Sequence, residues 1–330
     1  MMLYMPDFRK PTVVISKCLE FNHCRYDGSM IASDFVRKIK PFITAIPVCP
    51  EAEIGLGIPR KSLRLVTIDG EPHLVQPATG VDATEEMNTF ANNFFTSLPS
   101  VQGFILKTRS PSCGIKDVKL YAKIDQHVSA EKTTGLFGGS VLDQFQGYPI
   151  ETEGRLRNVY IQEHFLVQIF SLAAFEAMKK TSSISALIEF HTRNKFLLMA
   201  YNQQQLKILG NIVAQQKDHS FDEVIQSYQH HLLISLEKPP SKKTTKNVLL
   251  HLFGFVSEHL SAEEKKFFLD MLENYNENKI PLGSISYVLK SWIVRFAEPY
   301  LSKQSFFSPF PEDLMDEQLS MIADSQRYWK

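Results

Sequence analysis

A chain of 330 residues, 44% hydrophobic and 22% charged, has room for two ordinary domains and is too long for a single small module. With 36 Lys plus Arg against 36 Asp plus Glu, it is neither a broadly basic nucleic-acid binder nor a charged disordered chain, so any such contact has to be a local patch. No apolar run approaches the roughly 20 residues of a membrane-crossing helix, and the opening MMLYMPDFRK lacks a long apolar core behind a basic flank; the expectation is a cytoplasmic protein with no membrane partner.

Taken in chain order, the first half alternates short β-branched runs with helical or loop stretches. PTVVIS at 11–16, FITAIPV at 42–48, LRLVTI at 63–68 and GFILK at 103–107 read as strands. Between the third and fourth, DATEEMNTFANNFFTSL at 82–98 places Met87, Phe90, Phe94 and Leu98 at helical spacing behind an acidic first turn. Strands alternating with helices predict an α/β domain with a mainly parallel sheet. YPIETEGRLRN then punctuates the chain with Pro149 and Gly154. From about Arg155 apolar residues recur three or four apart with almost no alternation, as in VYIQEHFLVQIFSLAAFEAM, which predicts an all-α region. The expected domains are therefore 1–154 and 155–330, with helix breaks at HTRNK, EKPPSKKTTK and NKIPLGS.

The 4 cysteines are too few for a disulfide-dense secreted scaffold, and all of them, Cys18, Cys24, Cys49 and Cys113, lie in the first third. Three closely follow predicted strands: Cys18 after VVISK, Cys49 after FITAIPV, Cys113 after GFILK. In an open parallel sheet the ligand crevice lies beyond the carboxyl ends of the strands, so these sulfurs are expected to converge there. Three converging thiolates point to metal or iron-sulfur ligation; the alternative is unrelated small buried side chains.

The surrounding loops are polar and stiffened by Pro50, Pro59 and Pro111, with glycines at 28, 55, 57 and 114. Glu51 puts an acid/base beside Cys49, and Ser110 and Ser112 put hydroxyls beside Cys113. Arg25, Arg60 and Arg109 are candidates to neutralise a cluster or grip an anionic substrate. GLFGG at 135–139 reads as a packing turn at a helix start rather than as an anion site. In the second half, His191, Arg193, Asn194 and Lys195 in HTRNK, and Lys238, Lys242, Lys243 and Lys246, are weak candidates for RNA contact.

CRYDG, then CPExxxGLGxPR, then SPSCG, in this order and followed by a long helical half, resembles the YbgA-like proteins, in which a small domain similar to the TudS thiouracil desulfidases is fused to a helical YbgA domain. The helical half carries softer matches, EGRLRN, FHTRNKFLLMAYN, KNVLLHLFGF and HLSAEEK. The resemblance implies a four-iron four-sulfur (4Fe-4S) cluster held by only three cysteines, here Cys18, Cys49 and Cys113, with a free iron that takes sulfur from a thiolated nucleobase, nucleoside or small thioamide without net redox change. It further implies that Glu51 carries the proton of the attacking water and that Ser110, in preference to Ser112, hydrogen-bonds substrate or intermediate. Glu20 and Phe21 depart from the pattern, which usually has a small residue or glycine there, as does Gly28-Ser29 in place of a glycine pair. Cys24 takes a position that can be apolar and is a neighbour or a fourth ligand. Two other functions fit the residues: a structural zinc site of all four cysteines in an interaction or RNA-binding module, and cluster-dependent sulfur transfer on transfer RNA.

Overall fold

Val13, Val14 and Ile15 are fully buried, as are Phe104, Ile105 and Leu106, the pattern of strands covered on both faces. The computed structural model describes residues 8–125 and 131–315; the opening residues 1–7, read above for a leader, lie outside it. Two compact units divide the chain, one of residues Lys10–Phe165 and the other beginning at Leu166.

The first unit contains β1 (Thr12–Ser16), α1 (Asp34–Ile39), β2 (Thr44–Val48), α2 (Pro50–Glu53), β3 (Arg64–Ile68), β4 (Glu71–Gln76), β5 (Val81–Asp82), α3 (Thr84–Ser97), β6 (Gly103–Leu106), β7 (Val118–Tyr121), β8 (Glu131–Thr133), α4 (Leu136–Gln144) and β9 (Ile150–Thr152). One sheet has the order β2-β1-β6-β9 with every pair parallel. A second, mixed sheet has the order β5-β4-β3-β7-β8. The α/β class is as expected, with one correction: LRLVTI does not join the parallel sheet but supplies β3 of the second. The reason is local, since Asp69 and Gly70 both take positive φ, 52° and 89°, and close a two-residue hairpin that pairs β3 with β4 antiparallel.

A shared core ties the two sheets together. Val14, Phe104 and Leu106 from the parallel sheet and Leu65 and Leu74 from the mixed one pack with Met87 and Ala91 of α3 and Phe137 and Val141 of α4. Phe90, Phe94 and Phe95 of α3 meet Phe137 at centroid distances of 6.1, 5.8 and 5.5 Å, the usual aromatic spacing.

A long helix, α5 (Val159–Lys179), runs out of the first unit, and the remainder is helical: α6 (Ile184–Tyr201), α7 (Gln203–Ala214), α8 (Phe221–Leu236), α9 (Lys242–Val256), α10 (Ala262–Asn276), α11 (Leu282–Arg295) and α12 (Pro299–Ser302). No strand follows Thr152 among the described residues. Ser220, Ser241 and Ser261 start α8, α9 and α10 with capping boxes, each stabilising a helix start by about 1 kcal/mol. Phe196, Leu252, Phe268, Leu289 and Trp292 form one core, with Phe253 stacked on Phe268 at 4.3 Å. HTRNK is not a helix break; it lies in the middle of α6, where the apolar periodicity simply continues through it. No helix among the described residues is long and apolar enough to cross a membrane.

Candidate functional site

The parallel sheet changes direction of winding between β1 and β6: the chain leaves β1 toward β2 on one side, and β6 and β9 continue on the other. The crevice beyond the carboxyl ends of β1 and β6 is the place where such sheets bind ligands. Cys18 lies two residues beyond the end of β1, Cys49 one residue beyond β2, and Cys113 in the loop after β6. Because these three strands are neighbours and parallel, the three loops leave the same edge of the sheet.

Cys24, Cys49 and Cys113 are 1, 8 and 6% exposed, and Cys18 is half-buried. All four are free thiols. The Cys24 side chain hydrogen-bonds those of Cys18 and Cys49, and the Cys49 thiol donates to the Cys24 carbonyl at 3.7 Å. Cys49 and Cys113 are near enough for the charge on one to bear on the other. Burial pushes Cys49 and Cys113 up to about 12. Cys24 is raised further, first by its hydrogen bond to Cys18 and then by burial. Such thiols stay protonated until a cation compensates the thiolate, which is what ligation supplies.

Among the described residues, no group of three His, Cys, Asp or Glu side chains is placed to hold a single metal ion. The four-thiol zinc site expected as an alternative is therefore not assembled. A cluster makes a different demand, because each sulfur binds a different iron and the ligands stand further apart than those of one ion. A set of three soft, buried thiols on one sheet edge fits that demand.

Glu51 lies in α2, directly after Cys49 and Pro50, and both its oxygens are engaged. Oε1 accepts the Ser112 hydroxyl at 2.8 Å, and Oε2 accepts Arg60 Nε at 2.8 Å and also Arg60 Nη2. Arg60 Nη1 donates to the carbonyls of Cys24 at 3.0 Å and Gly57 at 3.1 Å. The Arg60 side chain is 3% exposed, so it clasps the Cys24 loop to the Cys49 loop instead of standing open to an anion. Ser112, fully buried, ties the Cys113 loop to the same carboxylate. The Ser110 hydroxyl accepts the amides of Ser112 at 3.2 Å and Cys113 at 3.1 Å. Arg25 lies 4.0 Å from Asp27 and over the Tyr26 ring, and Arg109 is exposed at a φ of 57°.

Glu20 takes a φ of 65°, the left-handed region that favours glycine, at a cost of roughly 1–2 kcal/mol. Its own bonds offset that cost. The carboxylate accepts the Ser33 amide at 2.6 Å and Arg37 at 2.8 Å, and the carbonyl accepts Lys40 Nζ at 3.0 Å. Lys40 also sits 4.2 Å over the Phe21 ring. Glu20 and Phe21 thus hold the Cys18–Cys24 loop by side-chain bonds where a glycine would leave the turn unstrained.

GLFGG proves to be a packing turn. The Gly135 amide donates to Gly114 O at 2.6 Å and the Gly138 amide to Ser112 O at 2.9 Å, so the start of α4 cradles the Cys113 loop. A Cβ on Gly138 would lie 2.5 Å from Gly114 O and 2.6 Å from Cys113 O, whereas one on Gly139 meets the Thr134 hydroxyl, a side-chain atom, at 2.7 Å. Gly138→Ala is expected to destabilise by about 1–3 kcal/mol despite its better helix propensity and to weaken retention of iron at Cys113. Gly139→Ala is expected to do much less, and thermal melts with iron content on the pair check both.

The residues nominated for RNA contact form no open basic face. His191 bonds Tyr228 at 3.0 Å, Asn194 is buried and donates to Phe190 O, Lys246 pairs with Glu273 at 3.1 Å, and Lys242 lies over Tyr275.

Two further groups escaped the sequence reading. Ser16, at the end of β1, is 1% exposed, and its oxygen accepts the Lys107 amide at 2.9 Å. Glu153 takes Lys107 Nζ at 2.6 Å together with the amide and hydroxyl of Thr108 at 2.7 and 2.8 Å, pinning the ends of β6 and β9. A hydroxyl closing a buried apolar strand just before Cys18 was the available signal for Ser16.

Residues 13–153 match the family described as 2-thiouracil desulfurase, and residues 195–311 match DUF1722, a family of unknown function. The uncharacterized protein YbgA of Escherichia coli (strain K12) is 24% identical over 148 residues, covering 44% of this chain and 88% of that protein. The uncharacterized protein YbbK of Bacillus subtilis (strain 168) is 30% identical over 154 residues, covering 44% of this chain and 99% of that protein. The solved structure of a [4Fe-4S]-dependent thiouracil desulfidase, TudS, is 25% identical, covering 45% of this chain and 94% of that one, with a TM-score of 0.34.

Proposed function

We propose that this chain, which belongs to the YbgA-like proteins and joins a 2-thiouracil desulfurase domain to a helical DUF1722 domain, removes sulfur from a thiolated nucleobase, nucleoside or small thioamide. The observation that carries the reading is the convergence of Cys18, Cys49 and Cys113 beyond three neighbouring parallel strands, inside the region matched to the desulfurase family. These three residues would hold a four-iron four-sulfur cluster, with Cys24 as a buried neighbour. Bound by only three protein ligands, the cluster would supply an open, soft Lewis-acidic iron for a thiocarbonyl sulfur.

The overall change is hydrolytic and redox-neutral: water adds its oxygen to the thiocarbonyl carbon, the carbon-sulfur bond breaks, and the sulfur leaves with both protons of the water as hydrogen sulfide. Glu51 takes a proton from the attacking water, held for that task by Arg60 on one oxygen and Ser112 on the other. Ser110, the more exposed of the two serines, keeps its oxygen on backbone amides and so can turn its hydrogen to the substrate. Ser112 and Arg60 act through Glu51 and are positioning residues in this scheme.

Anaerobic full-length protein incubated with 2-thiouracil is expected to release sulfide and uracil in equal amounts with loss of the thiocarbonyl absorbance. Cluster-loaded protein that releases no sulfide from thiolated bases, nucleosides or simple thioamides would overturn the proposal.

A further inference from the structure

The ladder between β1 and β6 ends at the Ile15–Ile105 pair, and the next β1 amide, Lys17, donates across to Val48 of β2 at 2.7 Å. The two strands part here, and the gap is the mouth of the crevice. The Lys107 amide lies beyond the ladder, and the Ser16 side chain satisfies it at 2.9 Å. The same Ser16 hydroxyl hydrogen-bonds the Cys113 side chain. With its oxygen accepting a peptide N–H, the hydroxyl presents its hydrogen to the sulfur, and at 1% exposure no water competes for it. Ser110, which also touches the Cys113 sulfur, is half-buried and mobile by comparison in its choice of partner.

We infer that Ser16 is a positioning residue for Cys113, a fixed hydroxyl donor from the neighbouring strand that orients the sulfur and stabilises its thiolate form as a cluster ligand. This rests on the reading of Cys113 as a ligand given above. The division of labour explains a polar side chain at a fully enclosed strand end: a backbone amide alone could be satisfied by water or by a carbonyl, whereas a group that accepts from that amide and donates to a sulfur must be a hydroxyl. Hydrogen bonds to ligand sulfurs delocalise charge away from the metal and raise a cluster's reduction potential. Losing one therefore makes the cluster harder to reduce.

The test uses anaerobic full-length protein carrying Ser16→Ala or Ser16→Thr, with Ser16→Val as the isosteric partner of the threonine variant should alanine prove too unstable. Two readouts are taken. The first is the cluster's midpoint potential, expected to move to more negative values in the alanine and valine variants and to stay at the parental value with threonine. The second is the rate of iodoacetamide alkylation of Cys113 in cluster-free protein, resolved by peptide mass spectrometry with Cys18 and Cys49 as internal references. Loss of the donor is expected to slow Cys113 alone, by about threefold or more, because the thiolate is the reacting form. Mere loosening of the site would instead speed all three cysteines. Alanine and threonine variants that behave alike in both readouts, or an alanine variant that speeds Cys113, would overturn the inference. Parental protein that takes up no cluster would refute the proposed function instead, and the alkylation contrast would then decide the role of Ser16 alone.

Discussion

Cys49→Ser is expected to leave anaerobically purified protein colourless, with iron and acid-labile sulfide both lost and desulfuration abolished. Serine matches cysteine in shape but offers a hard, protonated oxygen in place of a soft thiolate, and iron in sulfur clusters is held by thiolate. Cys49 is the member of the set with the least room for substitution. It is 8% exposed, contacts Cys24 directly and lies beside Cys113, so no neighbouring water or carboxylate replaces its sulfur without rearrangement. Fold stability in the absence of cluster is expected to change little, since the lost contact is a single weak bond to a carbonyl at 3.7 Å. Cys24→Ala is the companion measurement. Under the three-ligand scheme it keeps the iron, at a stability cost of about 1 kcal/mol for a small cavity; a colourless Cys24→Ala protein beside a brown Cys49→Ser protein would reverse the ligand assignment.

For Glu51→Gln the expected result is an intact cluster spectrum with turnover reduced roughly 100- to 10,000-fold, the effect of removing a general base. The amide keeps the length of the side chain and one oxygen for Arg60 or Ser112, so the loops remain joined. It does leave Arg60, 3% exposed, without its full negative partner; a destabilisation of about 1–3 kcal/mol is expected on that account. Turnover is therefore measured per cluster, well below the melting transition, and set against Arg60→Lys, which keeps the charge but not the fork. If Glu51→Gln retains parental turnover on a substrate that the parent desulfurates, another group carries the proton.

The convergence of the cysteines was readable because each follows a β-branched run of the kind that builds buried parallel strands, and parallel strands share an edge for their outgoing loops. The same reasoning misplaced LRLVTI. Its composition suits either sheet, and the discriminating signal was the Asp69-Gly70 pair, whose φ values of 52° and 89° commit the chain to a hairpin. Strands β8 and β9, of three residues each, are too short to leave a periodic trace. The Arg60–Glu51–Ser112 clasp was visible only as three separate candidates, because a guanidinium that grips a substrate and one that grips a carboxylate look alike in sequence. Ser16 was hidden for a related reason: its partners, Lys107 and Cys113, stand some 90 positions away and are brought to it only by the pairing of β1 with β6.

The central claim is that Cys18, Cys49 and Cys113 together hold an iron-sulfur cluster, and the most direct test is elemental and labile-sulfide analysis of full-length protein purified without oxygen. The account predicts brown protein with iron and acid-labile sulfide in comparable amounts and little zinc. Colourless protein containing stoichiometric zinc, with neither iron nor labile sulfide even after anaerobic reconstitution, would contradict it.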